Sequence, residues 1–275
     1  MQSQRFDVVI IGGSLAGAAA ATLLLRGRPG LRVAVVEKSE SFPRRVGEST
    51  VEVSSYFLSR VLGLTSFINE TQLTKHGMRF WFANDRTDSL PDCSELGGRY
   101  LSRLPAWQVD RSTLDEEVLR RAVGAGTTLF RPAKVRGVRL EEGGMQRVTV
   151  EGADGPVELE GRWVIDASGF SCLLSRQEGW LRPNTAHPTT ACWARWKGVT
   201  DWDCFELAQR FPDWSMACHG IRNTATNHVV GDGWWAWFIP LKGGDTSVGV
   251  VFDQRRMTWP SGPEPLGQRL KAFLR

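Results

Sequence analysis

The stretch FDVVIIGGSLAGAAAATLLLRG, residues Phe6–Gly27, decides the fold. Its first six residues are a continuous apolar, β-branched run, the pattern of a parallel strand buried on both faces. GGSLAG (Gly12–Gly17) follows at once, and the Ala- and Leu-rich segment after it is a strong helix former that stops at Gly27. RVAVVEK (Arg32–Lys38) reads as a second strand. Strand, glycine turn, helix and strand in this order form a dinucleotide-binding β-α-β unit. The turn needs glycine where φ is positive and where a phosphate approaches the backbone. The helix start then offers free N–H groups and partial positive charge to a pyrophosphate. Glu37, at the tip of the second strand, is placed to accept hydrogen bonds from a ribose diol. Aligned to GxGxxG, Ser14 stands where the middle glycine belongs, and its side chain narrows the phosphate approach. The candidate nucleotide-binding residues are Gly12, Gly13, Ser14, Ala16, Gly17, Glu37 and Lys38. An acid after the second strand fits the adenosine of either NAD or FAD.

The chain has 275 residues, enough for one large or two small domains. Its net charge is +4, and the basic residues are scattered in short pairs such as Arg120-Arg121, so no nucleic-acid partner is expected. Five cysteines without a CxxC pair, and four histidines without ligand spacing, predict neither a disulfide framework nor a metal site. MQSQRFDVVII lacks the pattern of a signal peptide. The apolar run Leu15–Leu25 is shorter than the ~20 residues that span a bilayer. A cytoplasmic, reducing setting is the expectation. Twelve tryptophans exceed ordinary use and point to aromatic packing or a site for flat ligands.

Beyond the first unit, FPRRVGEST (Phe42–Thr50) follows the second strand. WQVDRSTLDEEVLRRA (Trp107–Ala122) reads as a short strand and a helix entered at Asp110 or Ser112. Val135–Gly161 alternates as a three-stranded meander with turns at Gly143-Gly144 and Asp154-Gly155. RWVIDASG (Arg162–Gly169) reads as a separate buried strand. In GDGWWAWFIPL (Gly231–Leu241), strand alternation puts Trp235, Trp237 and Ile239 on one face and Trp234, Ala236 and Phe238 on the other. Pro240 lacks an N–H and ends the ladder. LKGGD then turns the chain, and TSVGVVFD (Thr246–Asp253) returns antiparallel.

This order of motifs resembles the FAD-dependent monooxygenase superfamily that includes p-hydroxybenzoate hydroxylase. VGES together with WAWFIP (Trp235–Pro240) narrows the resemblance to the flavin-dependent halogenases, whose marker is WxWxIP. The resemblance implies FAD as cofactor, with Gly12, Gly17 and Glu37 on its ADP half and Asp166 and Gly169 near the adenosine and pyrophosphate. It makes Arg44 and Arg111 candidates for flavin or phosphate contacts and adds Ser49 to the cofactor set. Trp235, Trp237, Ile239 and Pro240 become a substrate-side aromatic wall that separates substrate from flavin. Lys75, in KHGMRF before a strand, is similar to the halogenase lysine that catches hypohalous acid; His76 reads as a bystander.

The implied activity is halogenation of an electron-rich aromatic or related metabolite. Halide and O2 are co-substrates, and flavin hydroperoxide and hypohalous acid carry the chemistry. Reduced FAD would come from a separate flavin reductase. The rival readings are an FAD-dependent hydroxylase or reductase without halide use, and a truncated, flavin-incompetent remnant. The family's GDAxxxxxP segment, its further carboxylate and its halide-binding turn are not found in the sequence. VVGDGWW (Val229–Trp235) leads into a strand and is a chance match, so the chain reads as the front of a longer protein. The expected fold is α/β: a Rossmann-like FAD-binding domain with a parallel sheet, and a mixed or antiparallel substrate sheet. The FAD part takes residues 1–175, interrupted at about 60–100, and the substrate part takes 176–275.

Overall fold

The computed structural model describes residues 3–104, 106–153, 155–259 and 262–274, so Asp154 of the expected Asp-Gly turn lies outside the described residues. The strands in chain order begin with β1 (Ser3–Ile11), β2 (Val33–Val36), β3 (Leu73–Lys75), β4 (Met78–Phe82), β5 (Ser94–Leu96) and β6 (Ala106–Gln108). They continue with β7 (Thr128–Phe130), β8 (Ala133–Arg139), β9 (Gln146–Gly152) and β10 (Gly155–Asp166). The last four are β11 (Thr189–Trp196), β12 (Thr226–Gly231), β13 (Trp234–Pro240) and β14 (Thr246–Asp253).

Two compact units divide the chain. The first is Met1–Val46 with Arg111–Pro183; the second is Gly47–Asp110 with Asn184–Arg275. The insert therefore runs from Gly47 to Asp110, wider than 60–100. Pairing explains the difference: β3 runs antiparallel to β6, and Ser49 bridges Gln108, so both flanks of the insert fold with the second unit.

The first unit is a six-stranded sheet in the order β7-β2-β1-β10-β9-β8. β1 lies between two parallel neighbours, β2 and β10, as its unbroken apolar run requires. The helix Leu15–Gly27 starts one residue after Ser14 and buries Gly17, Ala18, Ala19, Ala21 and Leu25. It packs against the helix Arg111–Gly124, which buries Leu114, Val118, Leu119 and Ala122. The meander and RWVID are not separate elements. β10 is one strand of 12 residues whose first half pairs β9 antiparallel up to Gly161. From Glu158 onward it also pairs β1 in parallel. Gly161 makes the continuity possible, because a Cβ there would crowd the Val9 side chain and the Trp163 carbonyl. RWVID is also less buried than its composition predicts. Trp163 is 72% exposed, at the rim of a groove of about 910 Å³ lined by Val8, Leu23, Leu24 and Ile165.

The second unit holds a six-stranded sheet in the order β11-β14-β13-β12-β4-β5. β12 is parallel to β4, and the other neighbours are antiparallel. The expected hairpin is β13–β14, in register from Trp234↔Phe252 to Pro240↔Thr246. One face of this sheet is a core of Cys192, Ala236, Val250, Phe252 and Leu270, with Trp234, Phe238, Trp259 and Phe273 packed against it. The other face carries Trp235, Trp237 and Ile239 of the candidate aromatic wall, while Lys75 lies on β3, in a separate two-stranded sheet with β6. No helix among the described residues is long and apolar enough to cross a membrane.

The tightest constraint on the first unit lies in the opening turn. A Cβ on Gly17 would run into the Gly12 carbonyl, and a Cβ on Gly12, at φ +101°, would run into the Ala167 carbonyl. Both obstacles are backbone and have no rotamer to yield. Gly17→Ala is expected to destabilise the protein by about 1–3 kcal/mol, read as a lower midpoint in denaturant unfolding. A wild-type midpoint would show that the turn is looser than this geometry.

Candidate active site

The sequence-derived candidates divide between the units. In the first, Gly12, Gly13, Ser14, Ala16 and Gly17 form the turn and opening of the first helix. The first intrahelical bond is Ala18 N–H to Ser14 C=O at 2.9 Å, so the N–H groups of Leu15, Ala16 and Gly17 have no acceptor within the helix. Ser14 occupies the N-cap, yet its hydroxyl makes no capping bond. Glu37 is buried at the end of β2. Its two oxygens accept the Gly13 and Ser39 N–H groups, each at 2.8 Å. A carboxylate oxygen can accept two hydrogen bonds, so acceptor capacity remains for a diol. Lys38 is exposed.

Asp166 ends β10, and both its oxygens are engaged by backbone: Ser168 N–H at 3.0 Å and Leu174 N–H at 2.8 Å. The carboxylate thus holds the turn after β10, where Gly169 adopts φ +62°. Arg111 is committed to Asp115 by two bonds at 2.9 and 3.1 Å and reaches the Val46 carbonyl at 3.4 Å. Its fork anchors a helix to the preceding segment. Arg44 is exposed. The glycine turn, the free N–H groups and Glu37 fit the diphosphate and ribose of a dinucleotide. The Arg111 fork, spent on Asp115, does not fit a direct phosphate contact in this arrangement.

In the second unit, the sheet face opposite the Cys192 core is a row of rings. Phe80, His228, Trp237, Gly249 and Trp193 lie in register across β4, β12, β13, β14 and β11. Residues opposite one another across strands share a face, as do residues two apart along a strand. Thr226, Trp235, Ile239, Ser247 and Arg195 therefore belong to the same face. His228 stacks on Phe80 with centroids 5.0 Å apart and lies 5.3 Å from Trp235, which is 5.8 Å from Trp237. Trp237 is buried and donates its Nε1–H to Ser247 Oγ at 3.2 Å. Trp235 is 39% exposed, so the wall is half open and not the enclosed strand its composition predicts. Each fully enclosed indole is worth several kcal/mol, and Trp235 forgoes part of that.

VGES (Val46–Ser49) continues into this unit and fastens to the same face. Glu48 Oε1 accepts from Arg195 Nη2 at 2.8 Å and Nε at 3.0 Å. The other arm of Arg195, Nη1, meets Asp110 Oδ2 at 2.5 Å. The Glu48 backbone receives Val109 N–H at 2.6 Å, and Thr50 N–H reaches the Trp107 carbonyl at 3.1 Å. Burial pushes the Glu48 carboxyl above the ordinary carboxylate range, with the Ser247 hydroxyl and the Arg195 guanidinium acting against it.

Lys75 ends β3 and is 2% exposed. Its Nζ donates to Ser49 Oγ at 2.9 Å and to the Thr50 carbonyl at 2.8 Å. These take two of the three tetrahedral positions at nitrogen. The third is where an ammonium donates or a neutral amine presents its lone pair. Burial pushes the Lys75 ammonium below its ordinary value, and Glu52 opposes that shift. Ser49, expected among the cofactor contacts, is a partner of Lys75, and it also meets Thr226 Oγ1 at 2.8 Å. His228 is likewise pushed down by burial and by the Lys75 charge, against the Arg79 backbone. Thr226, His228, Arg195 and Glu48 escaped the sequence reading. The signal available was alternation: Thr226 and His228 are two apart on a strand beside the tryptophan strand.

A nucleotide-type β-α-β unit joined to an aromatic sheet with a buried lysine defines the class as a two-part α/β flavoprotein fold. A family model described as lycopene cyclase protein matches residues 7–186, and the chain belongs to that family. Flavin-dependent halogenases are its homologues. The chain is 28% identical to "Flavin-dependent halogenase chlA" of Dictyostelium discoideum over 92% of this chain and 46% of that protein. Among solved structures, the halogenase PltM with phloroglucinol and FAD superposes with a TM-score of 0.76 at 21% identity, covering 98% of this chain and 55% of that one. A flavoprotein/dehydrogenase from Cytophaga hutchinsonii gives a TM-score of 0.75 at 23% identity, covering 98% and 61%. The chain spans about half the length of the curated relatives it matches.

The Arg195 pairs carry a measurable consequence. Arg195→Met leaves the buried Glu48 carboxylate without the guanidinium that pairs it, at a cost of about 3–5 kcal/mol. The sign with pH follows from linkage. In the variant the Glu48 carboxyl, already raised by burial, loses the guanidinium that opposes that shift, so the folded state binds more protons than the unfolded one. The loss should therefore be greatest at neutral pH and shrink as pH falls through the raised pKa. Denaturant midpoints of both proteins across that range check it; a pH-independent difference would count against it.

Proposed function

We propose that this chain is the nucleotide-binding and halogen-transfer portion of an FAD-dependent halogenase acting on an electron-rich aromatic. The observation that carries the reading is Lys75: buried, fixed by two hydrogen bonds, and held by Ser49 against the face that carries Trp235 and Trp237. Gly12, Gly13, Ala16 and Gly17 would hold the diphosphate of FAD, and Glu37 the ribose. Bound FAD, reduced and exposed to O2, supplies the oxidising equivalent that turns halide into hypohalous acid.

The remaining chemistry belongs to the chain's own residues. The third position at Lys75 Nζ hydrogen-bonds hypohalous acid as an ammonium, or as a free amine takes the halogen from its oxygen, the hydroxide leaving with an amine proton as water. Desolvation favours the amine, which brings the second route within reach of a lysine. Trp235 and its neighbours offer flat apolar surface against which an aromatic substrate stacks. A flavin reductase as the source of reduced FAD, and a cytoplasmic setting, complete the reading.

The test uses the chain with FAD, a flavin reductase and electron-rich aromatics, with and without chloride or bromide. Halogenated product should require halide. Lys75→Ala should abolish it while FAD uptake, read by flavin absorbance, stays at the wild-type level. Oxygenated product formed without halide would favour the hydroxylase reading, and undiminished halogenation by Lys75→Ala would remove the lysine from the reaction.

A further inference from the structure

Three hydroxyl- and amine-bearing side chains from distant parts of the second unit meet at one place. Lys75 Nζ donates to Ser49 Oγ at 2.9 Å, and Ser49 Oγ lies 2.8 Å from Thr226 Oγ1. Thr226 is 1% exposed and begins β12, on the sheet face of His228 and Trp237. Its backbone is fixed by Thr226 N–H to the Gly77 carbonyl at 3.2 Å. Ser49 thus stands between the amine and a buried hydroxyl supplied by a different strand.

The bond directions follow from the donor count. An ammonium has three N–H donors and no acceptor, so when Lys75 is charged Ser49 must accept from it. The Ser49 proton then needs an acceptor elsewhere, and Thr226 Oγ1 is at hydrogen-bond distance. When Lys75 is neutral its lone pair can accept, and Ser49 can turn its proton toward Nζ. The Thr226 hydroxyl is therefore required by the charged state and dispensable in the neutral one. Thr226 is buried and Ser49 half-buried, so the difference is felt, because an enclosed O–H without an acceptor keeps its desolvation penalty.

We propose that Thr226 is a positioning residue that acts through Ser49 to hold Lys75 in its charged form and to aim its third N–H position along the aromatic face. The ionisable groups around the amine are Glu52, on the helix Glu52–Tyr56, and His228, on β12. Glu48, on Ser49's own segment, is occupied by Arg195. Glu52 favours the ammonium from one side, so Thr226 is the neutral counterpart that does so through a hydrogen bond. The consequence for turnover rests on the reading of Lys75 as the transfer residue; the effect on its protonation does not.

Protonation of Lys75 is read directly in protein labelled with 13C at lysine Cε, its signal assigned by its loss in Lys75→Ala. Thr226→Val keeps the shape of threonine and removes the hydroxyl. It should raise the neutral fraction of Lys75 at a given pH about tenfold, equivalent to a titration midpoint about one pH unit lower. Thr226→Ser should restore the wild-type midpoint. Ser49→Ala should lower the midpoint as well, and adding Thr226→Val to it should lower it no further, because the two act in series. An unchanged midpoint in Thr226→Val, or full additivity with Ser49→Ala, would overturn the proposal. These titrations need neither flavin nor halide. A Lys75→Ala protein that still halogenates would defeat the functional reading while leaving the midpoint result to stand or fall by itself.

Discussion

The insert of the second unit is tied together by a largely enclosed guanidinium, that of Arg195. Arg195 reaches from β11 with one arm to Glu48 and the other to Asp110. Those two carboxylates sit near opposite ends of the insert Gly47–Asp110. Pairing them to one arginine closes the insert over the sheet. A buried pair of this kind is weak evidence for net stability, since hydrophobic replacements often do as well. Its value here is positional. Together with the backbone bonds from Val109 to Glu48 and from Thr50 to Trp107, it fastens the segment whose Ser49 and Thr50 receive the Lys75 amine.

The first unit obeys a different kind of constraint, one of space. Gly12 and Gly17 approach so closely that no side chain fits at either position, and β10 brings the Ala167 carbonyl against Gly12 from the neighbouring strand. The residues that resemblance would place on a phosphate behave unevenly. The helix N-terminus and Glu37 keep binding capacity. Asp166 and Arg111 are engaged by the backbone turn and by Asp115.

Legibility in the sequence followed contiguity. The opening strand, turn, helix and strand could be read because every feature that fixes them lies within a few residues of its partner. The β13–β14 hairpin was equally plain, with alternation on both arms and Gly243-Gly244 in its turn. β10 was split in the reading because Gly161 looks like a boundary, whereas its missing side chain is what lets the strand run on past Val9. The parallel pairing of β12 with β4 and the seat of β11 beside β14 had no local mark. The same holds for the site. Resemblance marks Lys75 and groups Ser49 with the cofactor, while nothing in the sequence around Thr226 ties it to either. What joins them is a hydrogen-bond chain across 177 positions of sequence, and no local pattern encodes it.

Gly249 lies directly beneath the Trp237 ring, with Trp193 on its other side, and even a methyl group there would strike both. The orientation of the largest side chain in the row is thus governed by the smallest. An alanine would tip the indole off its seat and out of reach of Ser247, reshaping the aromatic face without changing any polar group on it.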